Sequence, residues 1–198
     1  MELNLDLNKK YTFADYLTWF DDKRRELWGG FIKMMTPAPL SEHQKIIFNL
    51  SGEFYLYKRK NQSKCGFFEA PFDVRFPKLD KKDDKDIDTV VQPDIVIVCD
   101  KSKLDKYGCI GAPDFIAEII SPSTAKRDMD DKYKLYEQHG VKEYWIVFPR
   151  EQFINAFYLE NGKYVLTGVF TRENTIPVKI FDNKLEIDLK DIFEEDDS

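Results

Sequence analysis

The stretch PDFIAEIISPST, residues 113–124, is apolar from Phe115 to Ile120 except for one acid, Glu118. A short apolar run entered by a proline and closed by the breaker Ser121-Pro122-Ser123-Thr124 reads as a buried strand over 114–120. The same breaker caps a helix running to Gly140, and EYWIVFP (143–149) is a further apolar strand. Strand, helix, strand in that order predicts a right-handed βαβ unit with a parallel pair, and hence an α/β fold. Burying an unpaired carboxylate costs several kcal/mol, so Glu118 needs a cation, a metal or a proton beside it.

The remaining chain supplies more elements. QPDIVIVCD (92–100) is a compact apolar strand with Asp94 near its entry. RRELWGGFIKMM (24–35) carries Gly29-Gly30 between apolar flanks, the pattern of a tight hairpin. Residues 41–59 place Ile46, Ile47, Leu50, Phe54 and Tyr57 at helical spacing behind Ser41 as N-cap. A short helix over 12–20 is capped by Thr12 with Asp15 at the capping-box position. GFFEAPFDVRF (66–76) alternates as one strand, and two alternating strands follow at 153–159 and 163–170. KLDKKDDKDID (78–88), dense in both charges, reads as a mobile surface loop without apolar anchors, and the tail IFEEDDS as frayed. One domain over 1–198 is expected, with its core at about 11–160 and an acidic tail at about 193–198.

Composition narrows the classes. Hydrophobic residues at 42% and aromatics at 15% argue for a packed core rather than disorder. No uninterrupted apolar run is long enough for a membrane span, and MELNLDLNKK has no hydrophobic signal-peptide block, so a cytoplasmic protein is expected. Cys65, Cys99 and Cys109 are odd in number and lack CxxC spacing, which favours free thiols in a reducing compartment over a zinc site. The net charge of −6 weighs against passive electrostatic binding of nucleic acid. It is compatible with an acidic centre that holds a divalent cation, because the ion reverses the local sign. P-loop, nucleophile-elbow and HExxH patterns are absent from the sequence, as is a convincing histidine partner for Ser121 or Ser123. A glycosidase carboxylate pair fits poorly, since those folds are usually larger.

Asp94 and Glu118 on neighbouring strands, about 4.8 Å apart in the pairing direction, can share one hard cation such as Mg²⁺. The plainer alternative is that each acid caps a strand end. Pro93-Asp94 followed by Glu118 in a mixed sheet resembles the PD-(D/E)XK nuclease superfamily. More narrowly, RELWGGFIKMMTPAP (25–39), QPDIVIV (92–98), PDFIAEIISPST (113–124) and DKYKLYEQHGVKEYWIVFP (131–149) are similar to the Uma-type family of putative restriction endonucleases, over roughly residues 11–160. The resemblance implies a restriction-endonuclease-like mixed β-sheet core flanked by helices. It also implies a Mg²⁺- or Mn²⁺-dependent cut in DNA, with Asp94, Glu118 and the Ile119 carbonyl as metal ligands.

The superfamily's lysine belongs two residues after Glu118, where this chain has Ile120. In the family pattern that lysine moves to the following helix, at Lys132. From Glu118 to Ser121 is three residues, ~10 Å at strand rise, and from Thr124 back to Lys132 is eight, ~12 Å at helical rise. Lys132 can therefore lie level with Glu118, whereas Lys126 sits too near the turn and Lys134 points about 200° away around the helix. A solvated helix lysine is the alternative. Glu26 matches a family acid that would support a ligand or orient a metal-bound water, or it is a hairpin surface acid. His43 matches a family histidine, or it is a helix-surface residue. His139 suits the helix dipole, Asp128 could pair with Lys132, Tyr136 reads as core, and Asp73 could approach the site. A nuclease-like scaffold that binds nucleic acid or protein without cutting is the competing function. Cutting both strands would favour a two-fold homodimer.

Overall fold

A computed structural model describes residues 3–21, 23–35, 40–78, 81–121 and 127–194. Gly29 and Gly30, with φ of 57° and 92°, turn the chain between β1 (Arg25–Trp28) and β2 (Phe31–Met34). Positive φ at both central residues is the type I′ geometry that follows the twist of a hairpin, and glycine adopts it without steric cost. The short helix expected over 12–20 is confined to α1 (Phe13–Tyr16), and its Thr12–Asp15 capping box forms as expected.

α2 (Ser41–Asn61) leads to β3 (Gly66–Glu69) and, past the cis Ala70–Pro71 peptide, to β4 (Asp73–Arg75). The expected single strand over 66–76 is thus two, β3 and β4, which lie in different sheets. β5 (Val90–Val91), β6 (Ile95–Val98), β7 (Leu104–Asp105), β8 (Gly108–Ile110) and β9 (Phe115–Ile119) follow. A π-helical turn (Arg127–Lys132) runs into α3 (Tyr133–His139), which Gly140 closes at φ 83°. β10 (Glu143–Phe148), β11 (Phe153–Glu160), β12 (Lys163–Thr171), β13 (Thr175–Pro177) and β14 (Glu186–Asp188) complete the order. The expected helical cap at 122–124 lies outside the described residues.

Among the described residues the strands form two six-stranded mixed sheets, ordered β2-β1-β5-β4-β8-β7 and β12-β11-β10-β9-β6-β3, and a separate antiparallel pair, β13-β14. β9 and β10 are parallel, as the βαβ reading requires, and β6 is antiparallel to β9. α2 covers one face of the second sheet through Ile46, Ile47, Leu50 and Phe54, packed with Ile95, Ile97, Phe115 and Ala117. Val96, Ile116 and Ile146 on the opposite face meet Tyr136 of α3 and Val74, Val91 and Cys109 of the first sheet. Both faces are therefore covered, which is why β9 is buried throughout and reads as a continuous apolar run.

Three expectations need correction. Residues 81–88 are pinned rather than mobile: Ile87 is fully buried beside Phe13, Leu27 and Val90, and the carbonyls of Asp84, Ile87 and Asp88 accept backbone bonds from Ala14, Phe13 and Gly30. The charged neighbours hide this single anchor in the sequence. The C-terminal segment joins the core, since Ile187, Leu189, Ile192 and Phe193 are buried against the α2 face. Cys65 and Cys99 are joined in a disulfide, because they lie one step beyond the Gly66↔Val98 pair of β3 and β6. Their separation of 34 residues gave no motif to signal it. Cys109 alone is a free thiol, and burial pushes its pKa up to about 12. No helix of the described residues is long and apolar enough to cross a membrane.

Candidate active site

Glu118 stands on the face of β9 turned away from α2 and is almost completely buried. Lys132, at the end of the π-helical turn and 2% exposed, places Nζ 2.7 Å from Glu118 Oε1. A π turn is an uncommon widening of a helix that often marks a functional position. Tyr136 lies one turn further on, and its hydroxyl donates to the same Glu118 oxygen at 2.7 Å. Tyr144 packs edge-on against the Tyr136 ring at 5.1 Å between centroids, and Phe76 sits at 6.2 Å. Burial, reinforced by the Glu118 charge, drives the Tyr136 hydroxyl well above its ordinary pKa, so it remains a proton donor.

Glu26, on β1, is fully buried and is not a surface acid of the hairpin. Its Oε2 accepts the Trp28 indole N–H at 3.0 Å, and its Oε1 accepts the Gln92 backbone N–H at 3.0 Å. That Oε1 also lies 3.7 Å from Lys132 Nζ. One lysine is thus shared by acids from both sheets.

Asp94 sits one register step beyond the Ile95↔Ala117 pair, which sets it opposite Glu118. Its Oδ2 accepts the Ile119 backbone N–H at 2.8 Å and lies 3.3 Å from His43 Nε2 of α2. His43 Nδ1 is buried without a hydrogen-bond partner among the described residues. Gln92, two residues earlier in the chain, donates from its side-chain amide to Asp73 Oδ1 at 2.8 Å, so Asp73 joins the edge of this network. Burial raises the Asp73 carboxyl above the usual carboxylate range.

The fold therefore gathers Asp94, Glu118, Lys132, Glu26 and His43, the five side chains singled out from the sequence. It adds Tyr136, whose apolar neighbours and helical spacing match those of a core residue and conceal its hydroxyl's partner. Lys126 and the pairing proposed for the Asp128 side chain lie outside the described residues, and Lys134 is exposed. His139 stacks on Phe76 at 4.4 Å, and burial lowers its pKa, the opposite of what a charged partner for the helix dipole would need.

The donor set is one of hard oxygens. Asp94 and Glu118 are carboxylates on adjacent strands, and Asp94 Oδ1 receives no hydrogen bond from the described residues. Taking Asp94, Glu118 and Glu26 as −1 each and Lys132 as +1, the centre carries a formal charge of −2. Among the described residues no group of three or more His, Cys, Asp or Glu side chains gathers to hold a metal. The two carboxylates present, Asp94 and Glu118, are donors of the kind Mg²⁺ or Mn²⁺ takes with water and phosphate, not the nitrogen and sulfur set typical of zinc.

No curated protein matches the chain. Among solved structures, the chain is similar to the crystal structure of a putative nuclease belonging to DUF820 from Anabaena variabilis ATCC 29413. The identity is 21%, the TM-score 0.70, and the match covers 92% of this chain and 97% of that one, which shows a shared fold. The Uma2 family, described as "Putative restriction endonuclease", matches residues 13–190, well past the 160 expected from the motifs. With that match spanning both sheets and the Glu118 centre, the chain belongs to the Uma2 family.

Proposed function

We propose that this protein is a Mg²⁺- or Mn²⁺-dependent endonuclease that hydrolyses phosphodiester bonds in DNA. The observation that carries the reading is Lys132 Nζ at 2.7 Å from Glu118, itself opposite Asp94 across the β6–β9 ladder. Family membership and the shared fold support it further. Asp94, Glu118 and the Ile119 carbonyl would hold the metal, which when bound supplies Lewis-acid polarisation of the phosphate and a more acidic water. Lys132 would orient the attacking water and stabilise charge building on the phosphate. Tyr136 holds the Glu118 carboxyl in place, so Lys132 can shift toward substrate without leaving Glu118 Oε1 bare. His43 does the same for Asp94. Glu26 balances the lysine from the other sheet.

A nuclease-like scaffold without cutting activity draws on one observation: Lys132 is already committed to two carboxylates. Plasmid nicking with Mg²⁺ or Mn²⁺, run beside Asp94→Ala, separates the two. Metal-dependent nicking that Asp94→Ala abolishes supports the enzyme. Nicking unchanged by Asp94→Ala, or absent from both proteins, rejects it.

A further inference from the structure

Arg24 is an exposed arginine that the fold nevertheless holds in one orientation. Its Nε and Nη2 donate to Gln92 Oε1 at 3.1 and 2.9 Å, and among the described residues no carboxylate lies within ion-pair distance of it. The Gln92 amide cannot turn over, because its Nε2 is committed to Asp73 Oδ1 at 2.8 Å and to the Tyr16 hydroxyl at 3.3 Å. An amide with its NH₂ on a carboxylate must present its oxygen elsewhere, here to Arg24. Tyr16 in turn donates to the Arg25 carbonyl at 3.1 Å, and burial keeps its hydroxyl protonated far above the ordinary range. Asp73, Gln92 and Tyr16 thus form a fixed mount for one exposed guanidinium.

The mount is one bridge from the Glu118 centre. The Gln92 backbone N–H binds the same Glu26 oxygen that lies 3.7 Å from Lys132. An exposed arginine normally gives up considerable rotamer freedom when it binds, and holding it beforehand removes much of that cost. Guanidinium edges match phosphate oxygens in pairs, and no carboxylate of the described residues lies within ion-pair distance of the edge not turned to Gln92. In a chain of net charge −6, contacts to a polyanion have to be made by individually placed cations.

We propose that Arg24, oriented by Gln92 and Asp73, binds a backbone phosphate of the nucleic-acid substrate beside the Glu118–Lys132 centre. This rests on the nuclease reading above. The test is the affinity of the full chain for a fluorescently labelled, mixed-sequence DNA duplex, with Ca²⁺ in place of Mg²⁺, across a salt series. Arg24→Gln should weaken binding roughly 5- to 10-fold at low salt and reduce the slope of log K against log salt by about one. Arg24→Lys should keep the slope and recover only part of the affinity, since lysine keeps the charge but cannot grip the amide with a fork. Asp73→Asn, which frees the amide to turn, should weaken binding with no change in slope. If Arg24→Gln does not fold, the other two variants decide the matter. Wild type that binds the duplex, with variants that bind it equally well, overturns the Arg24 assignment alone. Wild type that does not bind duplex at all overturns it together with the nuclease reading.

Discussion

Glu118 and Asp94 occupy opposite sides of one ladder step, yet their surroundings differ in kind. Glu118 has a 4% exposed side chain and receives two side-chain donors on one oxygen, both at 2.7 Å. Asp94 has an 18% exposed side chain, supported by one backbone N–H and a histidine at 3.3 Å. The first acid is compensated wholly from within the protein, so disturbing its partners should cost stability. The second keeps an oxygen undonated among the described residues, so altering it should change ligand binding and little else. An anchored acid beside an available one lets a site stay folded while it exchanges ligands.

The largest effect is expected at Lys132. Lys132→Met removes the cation from two buried carboxylates and should lower unfolding free energy by about 3–5 kcal/mol in a urea titration. Cleavage, where wild type shows it, should fall by about 100-fold or more. A variant as stable as wild type would mean that the two acids do not depend on this lysine, and the contrast with Asp94 would collapse.

Tyr136→Phe keeps the ring packing and deletes one donor to Glu118, so a loss of about 1–3 kcal/mol is expected from the same titration. Combined with Lys132→Met, the losses should not add, because both residues serve one oxygen. Additive losses would show that the hydroxyl and the ammonium act separately.

Asp94→Asn should change stability by no more than about 1 kcal/mol, while abolishing the rise in melting temperature expected when Mn²⁺ is added to the wild type. An unchanged Mn²⁺ shift would remove Asp94 from the proposed metal site. The smallest effect belongs to His43→Gln, which should also stay within about 1 kcal/mol and reduce the Mn²⁺ shift without eliminating it. A shift lost completely would make His43 as necessary as Asp94 itself.

Much of this candidate site is legible in the sequence. Glu118 stood out because a carboxylate inside PDFIAEII has no inexpensive place to go, and Lys132 was indicated by the family resemblance, with rise per residue along a strand and back along a helix in support. Tyr136 was not legible. Tyrosine at helical spacing is what a core demands, and only the approach of β9 reveals that its hydroxyl meets Glu118. Arg24 and Gln92 were likewise hidden, and Asp73 was named only as a residue that could approach the site, because their contacts join residues 19 to 68 positions apart across β1, β4 and the entry to β6.

Elements with local signals can be read directly from the chain: the Gly29-Gly30 hairpin, the Thr12 capping box, the apolar strands, and α3 ending at Gly140. Periodicity, turn chemistry and capping act within a few residues, so they survive in the one-dimensional pattern. Tertiary structure alone decided the Cys65–Cys99 disulfide, the burial of Ile87 and Phe193, the division of residues 66–76 between two sheets, and the sharing of Lys132 by Glu26 and Glu118. Each depends on which strands become neighbours, and that choice is made by burying apolar surface over the whole chain, a quantity no short stretch contains.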